Sequence, residues 1–328
     1  MPITAELIAS SSVTRALGIV GDRWTLLILR DAFQGAHRFE EFRSQTGAAR
    51  STLTSRLTGL VEAGLFEKVR YSRSPERFEY RLTEKGLDLY GTTLVTWRWE
   101  HNWAPRGAGI PPYLRHTACG HAMEPELRCS GCGERIAIHD TTYKVAPAAR
   151  TRAAVPRFRR LSSVTAASHR GANPAFAHIA DIIGDRWTPL VLSAAFLGLR
   201  RFDAIQSGLE IATNILTHRL KSLVRHGILE RRSYSTHPPR YEYRLTQKGR
   251  ELFPHALTLM QWGDRWLAPG TGPSMRVFHK ACGKRLGAVV SCSHCGGAIG
   301  PHDVAFPPAA GHARALEPRT RRTKRTRR

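Results

Sequence analysis

A chain of 328 residues with 41% apolar and 8% aromatic residues is too long for one small domain and too apolar for a disordered polymer, so two or more packed domains are expected. Its 50 Lys and Arg against 26 Asp and Glu leave a formal net charge of +24, which points to polyanionic partners such as nucleic acid or an acidic membrane surface. The first residues lack the basic start and apolar run of a secretory signal, and no stretch approaches the roughly 18 apolar residues needed to cross a bilayer, so a cytoplasmic, nucleoid-associated protein with no membrane partner is expected.

The chain is written twice. Residues from about Ala16 to Asp140 recur at a constant offset of 163 positions, ending at Asp303. Gly-Asp-Arg-Trp-Thr at 21–25 returns at 184–188, and Cys119, Cys129 and Cys132 return as Cys282, Cys292 and Cys295. What the copies share reports what one architecture needs, and where they differ marks positions free to take different work.

In chain order, Asp22 and Asp185 are N-cap candidates for a helix through Trp24, Leu27 and Ile28, matched by Trp187, Val191 and Leu192. A short second helix is expected after Arg38-Phe39 and Arg201-Phe202, with Phe42 and Ile205 inward. A third carries Leu53, Leu57, Leu60 and Val61 at i, i+4, i+7 and i+8, repeated by Leu216, Leu220, Leu223 and Val224, and stops at Gly64 and Gly227. Phe78, Tyr80 and Leu82 then alternate with Arg77, Glu79 and Arg81, as Tyr241, Tyr243 and Leu245 do in the second copy. The turns before them, 72–76 and 235–239, contain proline, so each copy predicts a hairpin. Thr83 and Thr246 are expected to cap one last helix per copy, rich in tryptophan (Trp97, Trp99 and Trp103; Trp262 and Trp266), with a kink at Pro254 in the second.

The expected fold is mainly α with small β hairpins (α+β). A winged helix-turn-helix spans 10–105 and a zinc-ribbon-like module 106–145; after a linker at 146–172, the second pair spans 173–268 and 269–308, and a basic disordered tail spans 309–328. Seven of the last ten residues are Arg or Lys, a run expected to add affinity without specificity.

Three helices followed by a hairpin is the order of a winged helix-turn-helix, whose third helix enters the major groove while the hairpin grips the flanking backbone. Opposite the leucine stripe, the first copy offers Arg50, Ser51, Thr52, Thr54, Ser55 and Arg56, and the second Thr213, Asn214, Thr217, His218, Arg219 and Lys221. These are short hydrogen-bonding groups that allow close approach, with cations that reach guanine or phosphate. The wings carry Arg70, Arg73 and Arg77, and Arg231, Arg232 and Arg240. On a single amphipathic helix such groups would read as a solvated face; their order and repetition favour a reading surface.

Each copy also holds His-x-x-Cys-Gly followed by Cys-x-x-Cys-Gly: His116, Cys119, Cys129 and Cys132, then His279, Cys282, Cys292 and Cys295. A ligand-x-x-ligand-Gly turn converges two side chains while glycine takes the tight backbone turn, and two such turns make a closed tetrahedral site. The expectation is two structural Zn(II) per chain, one built within each copy. His139 and His302 also repeat, and His121 lies near Cys119, so the fourth ligand stays open between His116/His279 and His139/His302. Reduced structural cysteines or a redox switch are the alternatives to zinc.

Together, Gly-Asp-Arg-Trp-Thr, Arg-Phe-x-x-Phe at 38–42, Leu-Thr-x-Arg-Leu at 53–57 and 216–220, and Tyr-Arg-Leu-Thr-x-Lys-Gly at 80–86 and 243–249 carry a family likeness. The sequence resembles the HxlR-type branch of the MarR-like winged-helix transcription regulators over nearly all of residues 16–104 and again 179–267. The resemblance implies a sequence-specific regulator of double-stranded DNA that works as a homodimer through its terminal helices on a palindromic site. This chain departs by carrying two heads, which permits an intrachain pseudo-dimer beside the ordinary homodimer. Some relatives sense oxidants through a cysteine in the winged-helix domain, and no such cysteine stands here. The expected function is a DNA-binding regulator acting at an operator near promoters, a repressor before an activator, with any small-molecule effector unknown. A winged-helix interaction or RNA-binding protein is the alternative. A zinc-dependent enzyme ranks below both, since Gly-x-Ser-x-Gly, a Walker loop and His-Glu-x-x-His are all missing from the sequence.

Overall fold

A computed structural model describes residues 5–146, 172–237, 239–268 and 272–307. Most of the expected linker and all of the expected tail at 309–328 lie outside the described residues.

In the first half, α1 (Ala5–Ala9) and α2 (Ser12–Val20) lead to α3 (Arg23–Phe33), which Asp22 caps by accepting from the Trp24 and Thr25 N–H groups at 3.0 and 3.2 Å. Next come α4 (Phe39–Thr46) and α5 (Arg50–Glu62), with Phe42, Leu53, Leu57 and Leu60 buried between them. Gly64 ends α5 in the left-handed region at φ 72°, its N–H on the Val61 carbonyl and that of Leu65 on Leu60, which satisfies the last turn. The wing is β1 (Phe66–Arg73) antiparallel to β2 (Glu76–Leu82), tied to the start of α4 by the Tyr80 N–H on the His37 carbonyl at 2.7 Å. Then follow α6 (Glu84–Leu87), α7 (Tyr90–Trp103), β3 (Leu114–His116), β4 (Ala122–Met123), β5 (Pro125–Cys129), a 3-10 turn at Ile138–Asp140, and β6 (Thr141–Val145).

The second half repeats this order: α8 (Ala177–Ile183), α9 (Thr188–Phe196), α10 (Phe202–Leu209), α11 (Thr213–Arg225), β7 (Leu229–Thr236), β8 (Pro239–Leu245), α12 (Gln247–Arg250), α13 (Phe253–Trp266), β9 (Met275–His279), β10 (Ala288–Cys292) and β11 (Val304–Ala305). The expected α+β class with two winged heads is what the chain forms.

Four local expectations are corrected. Thr83 and Thr246 cap only the one-turn helices α6 and α12; the chain bends before α7 and α13, and the bend presents Asp88 and Glu251 to the other half. Pro254 makes no kink, because it sits in the first turn of α13, where a helix has no use for the missing N–H. Asp185 accepts from the Trp187 and Thr188 N–H groups at 2.8 and 3.1 Å, yet α9 starts only at Thr188, with Pro189 in its first turn. Glu79 does not alternate outward: the entry to α4 covers it, and Arg38 and Arg81 reach its carboxylate at 3.5 and 3.1 Å.

The two halves pack about a pseudo-two-fold axis, and the same contacts recur in reciprocal form. Trp99 Nε1 donates to the Lys248 carbonyl and Trp262 Nε1 to that of Lys85, both at 2.9 Å. Trp103 donates to Glu251 at 2.7 Å and Trp266 to Asp88 at 2.8 Å. In β5 and β10, which pair antiparallel, Leu127 faces its own equivalent Val290, so the axis passes between them. β6 pairs with β9 and β3 with β11, so Thr141 opposite His279 mirrors Val304 opposite His116. This is the geometry of an isologous dimer interface, here within one chain. Packed against each other are α7, α13 and α2, with Trp99, Trp262, Leu94 and Leu259 buried.

The symmetry breaks where α2 crosses α13. A Cβ on Gly263 would meet the Ser12 carbonyl oxygen at 2.3 Å, so only glycine lets the helices approach this closely. Gly263→Ala is expected to cost about 1–3 kcal/mol by overpacking, read as a lower denaturation midpoint with an unchanged slope. The equivalent position in the first half is Glu100, buried, with its carboxylate accepting the Ile179 N–H. Burial pushes its carboxyl up to about 7, against the opposing pull of that N–H and of Lys248 and Arg30. A carboxyl whose folded pKa is raised binds its proton more tightly in the native state, so this contribution is full at pH values below the unfolded value and is lost as pH climbs to about 7. Glu100→Gln should therefore gain stability relative to the parent by on the order of 3 kcal/mol between pH 4.5 and 8. Denaturant unfolding at both pH values checks this; a difference that ignores pH would refute it.

Candidate functional site

Leucines at helical spacing turn one face of α5 and α11 into the core, which leaves the opposite face to solvent. On α5 the exposed face carries Arg50, Ser51, Thr54 and Ser55, continued one turn on by Thr58, a residue not among the expected contacts although it stands at the position of Lys221. On α11 they are Thr213, Asn214, His218 and Lys221. Thr52 is half-buried, as is Thr217, whose hydroxyl donates to the Thr213 carbonyl at 2.7 Å. Neither helix has a side-chain N-cap, since Ala49 and Ala212 occupy that position.

Arg56 and Arg219 do not belong with the exposed face. Arg56 Nε lies 3.2 Å from the Asp22 carboxylate that caps α3, and Arg219 makes the same 3.2 Å pair with Asp185. Both are partly buried and tie α5 and α11 to the residues that lead into α3 and α9, so they position those helices and are not free to reach a base. An arginine one turn from the leucine stripe looks like a contact residue until its capping partner is placed by the fold.

On the wings, Arg70, Arg73 and Arg77 of the first copy and Arg231, Arg232 and Arg240 of the second are exposed. Arg70 lies 3.5 Å from Glu76 and Arg232 2.7 Å from Glu230, carboxylates that a phosphate would have to displace. Two residues missed from sequence stand here: Tyr71 and Tyr234, 42% and 43% exposed, each beneath an arginine, with Arg38 at 4.9 Å and Arg201 at 4.8 Å from the ring centre. Arg201 also donates to the Tyr234 hydroxyl at 2.7 Å. The signal available was an aromatic at the same position in both copies, in the polar half of the strand that leads into the turn.

The cysteine modules differ most from expectation. The structure does not bring His116, Cys119, Cys129 and Cys132 together, nor His279, Cys282, Cys292 and Cys295. It gathers His116 and Cys119 with Cys292 and Cys295, and Cys129 and Cys132 with His279 and Cys282, each quartet having its ligand atoms within 4.8 Å of one another. The reason is the strand pairing: β5 runs antiparallel to β10, so the turn that ends each strand meets the first turn of the other copy. His116 and His279 are buried, whereas His139 is exposed beside Asp140 at 3.3 Å and His302 is also exposed. His121 stacks on His294 with ring centres 3.8 Å apart at the edge of the first quartet; the second quartet has Lys284 and Gly131 at those positions.

An apolar cavity of about 80 Å³ also lies where the halves meet, lined by Leu7 of the first and by Phe196, Phe253, Met260, Met275 and Val277 of the second. Tyr90 and Trp97 stand in the other half where Phe253 and Met260 stand here. No helix among the described residues is long and apolar enough to cross a membrane.

Both heads match the HxlR-like helix-turn-helix family, over residues 19–108 and 182–271. An uncharacterised HTH-type transcriptional regulator of Mycobacterium tuberculosis is 50% identical over 136 residues, covering 42% of this chain and 86% of the relative. Another from Synechocystis is 37% identical over 112 residues, 31% of this chain and 83% of the relative. Among solved structures, diamide-treated YodB from Bacillus subtilis is 27% identical with a TM-score of 0.26, covering 31% of this chain and 100% of that one. With two winged heads in one chain and the family matched over more than half of its length, the chain belongs to the HxlR-like helix-turn-helix family of transcriptional regulators, which are not enzymes.

Proposed function

We propose that a single chain is the complete reading unit: a sequence-specific regulator that places α5 and α11 in major grooves of one duplex and acts on transcription by occupying an operator, as a repressor. The observation that carries this reading is the reciprocal interface through Trp99, Trp262, Trp103 and Trp266, which pairs the two heads of one chain in the manner that separate subunits use. In helix-turn-helix dimers the grooves read lie about one turn, roughly 34 Å, apart. Drift on the reading faces, Ser51 and Ser55 against Asn214 and His218, calls for two unlike half-sites in place of a palindrome.

Selection of bound sequences from random duplexes followed by light scattering of the purified complex tests this. One chain per duplex on an asymmetric composite site is the expected result. A symmetric palindrome, or two chains in every complex, would replace the single-chain unit by a dimer of tandem proteins, and binding without base preference would leave the helix-turn-helix a scaffold for another partner. A reporter placed behind the selected site then reads repression directly.

A further inference from the structure

All six cysteines of the chain fall in the two quartets, none of them in a disulfide, and the quartets are built alike. In the first, Cys119 and Cys292 have sulfurs 4.0 Å apart, and Cys295 Sγ lies 3.4 Å from His116 Nδ1. In the second, Cys129 and Cys282 are 3.9 Å apart, while Cys132 and Cys282 lie 3.3 and 3.6 Å from His279 Nδ1. A tetrahedral zinc ion with Zn–S of about 2.3 Å and Zn–N of about 2.0–2.1 Å requires edges near 3.8 Å between sulfurs and 3.6 Å between sulfur and nitrogen. These five edges lie within about 0.3 Å of those values, and the sulfurs stand well beyond the roughly 2.05 Å of a disulfide.

The backbone is arranged for the same purpose. Gly120, Gly133, Gly283 and Gly296, each following the second ligand of its turn, have φ between 68° and 77°. Their N–H groups bond back to the carbonyls of His116, Cys129, His279 and Cys292, the first ligand of each turn. Four identical turns of this type converge both side chains of each pair on one point. Three thiolates and one imidazole are the borderline-soft donors that zinc prefers, and four protein ligands leave no position for water or substrate.

We propose that each quartet binds one zinc ion and that each ion is a staple between the halves, with one ligand turn drawn from each copy. The two ions flank the central strand pair: Cys129 lies opposite Ala288 at one end of β5 and β10, and Cys292 opposite Pro125 at the other. Metal loading then sets the pairing of the two heads as well as the stability of the module, because neither half supplies all four ligands of either quartet. This goes beyond the reading of DNA, and its test does not depend on it.

Zinc content of the purified full-length chain, prepared reduced and without chelator, should be two per chain. The pairing is decided by two double variants. Cys119→Ser with Cys292→Ser removes two ligands of one site and should leave one zinc; Cys119→Ser with Cys129→Ser hits both sites and should leave close to none. The reverse pattern would restore sites confined to single copies, and folded, reduced protein without metal would overturn the proposal altogether. Should the variants fail to fold, the unsubstituted chain loaded with cadmium-113 answers the same question. Cadmium–proton correlation should join Cys119, Cys292 and Cys295 to one metal, and Cys129, Cys132 and Cys282 to the other; joining Cys119 to Cys129 would refute the staple.

Discussion

Replacing His218 and Lys221 together by glutamate is expected to lower the affinity for the selected operator by about 10²–10⁴, although half of the contacts remain. Both residues are exposed on α11 and take no part in the buried core, so folding should be unchanged. The size of the effect comes from linkage: once one head is bound, the second engages at an effective concentration near millimolar, and losing it forfeits that whole advantage. Glutamates at Arg50 and Ser55 should do the same from the other side, and footprints should show protection lost in different half-sites. A loss of only a few-fold from either change would mean that the heads bind independently. Arg56→Ala and Arg219→Ala are unsuitable for this purpose, since each breaks a pair, with Asp22 or with Asp185, and disturbs the position of its whole helix.

Trp262→Ala should destabilise the entire chain by about 3–5 kcal/mol, the range for truncating a large buried aromatic, with Trp99→Ala close behind. Each ring is almost fully buried, and each indole N–H reaches a carbonyl of the opposite half. Truncation therefore leaves a cavity and an unpaired carbonyl at the centre of the pseudo-dimer. Because the bond crosses the interface, the two heads should unfold in one transition that shifts as a unit. Denaturant curves followed by circular dichroism and by fluorescence of the remaining tryptophans check this; two separated transitions, only one of them moved, would show that the halves are thermodynamically separate.

Read from the residues alone, both heads were already visible. The leucine stripes of α5 and α11, Asp22 as a cap, Gly64 and Gly227 as stops, and the hairpins follow from local rules of backbone geometry and amphipathicity, and duplication shows each signal twice. The ligand turns were legible for the same reason, since a Cys-x-x-Cys-Gly is a contact within five residues. Hidden were the features that depend on what lies across the chain. Glu79 is buried by a segment some forty residues earlier, and Asp88 separates α6 from α7 while serving a tryptophan of the other copy.

The two Cys/His quartets show the division most plainly. Sequence by itself determined the inventory: three cysteines per copy in two groups, the turns that present them, and a histidine left open between His116/His279 and His139/His302. Tertiary structure alone decided the partners. Two identical copies offer self-pairing and exchange with the same residues at the same spacing, so no periodicity or motif can distinguish them. The choice falls to the antiparallel meeting of β5 and β10, which sets Leu127 against Val290 and carries each copy's second turn to the first turn of the other.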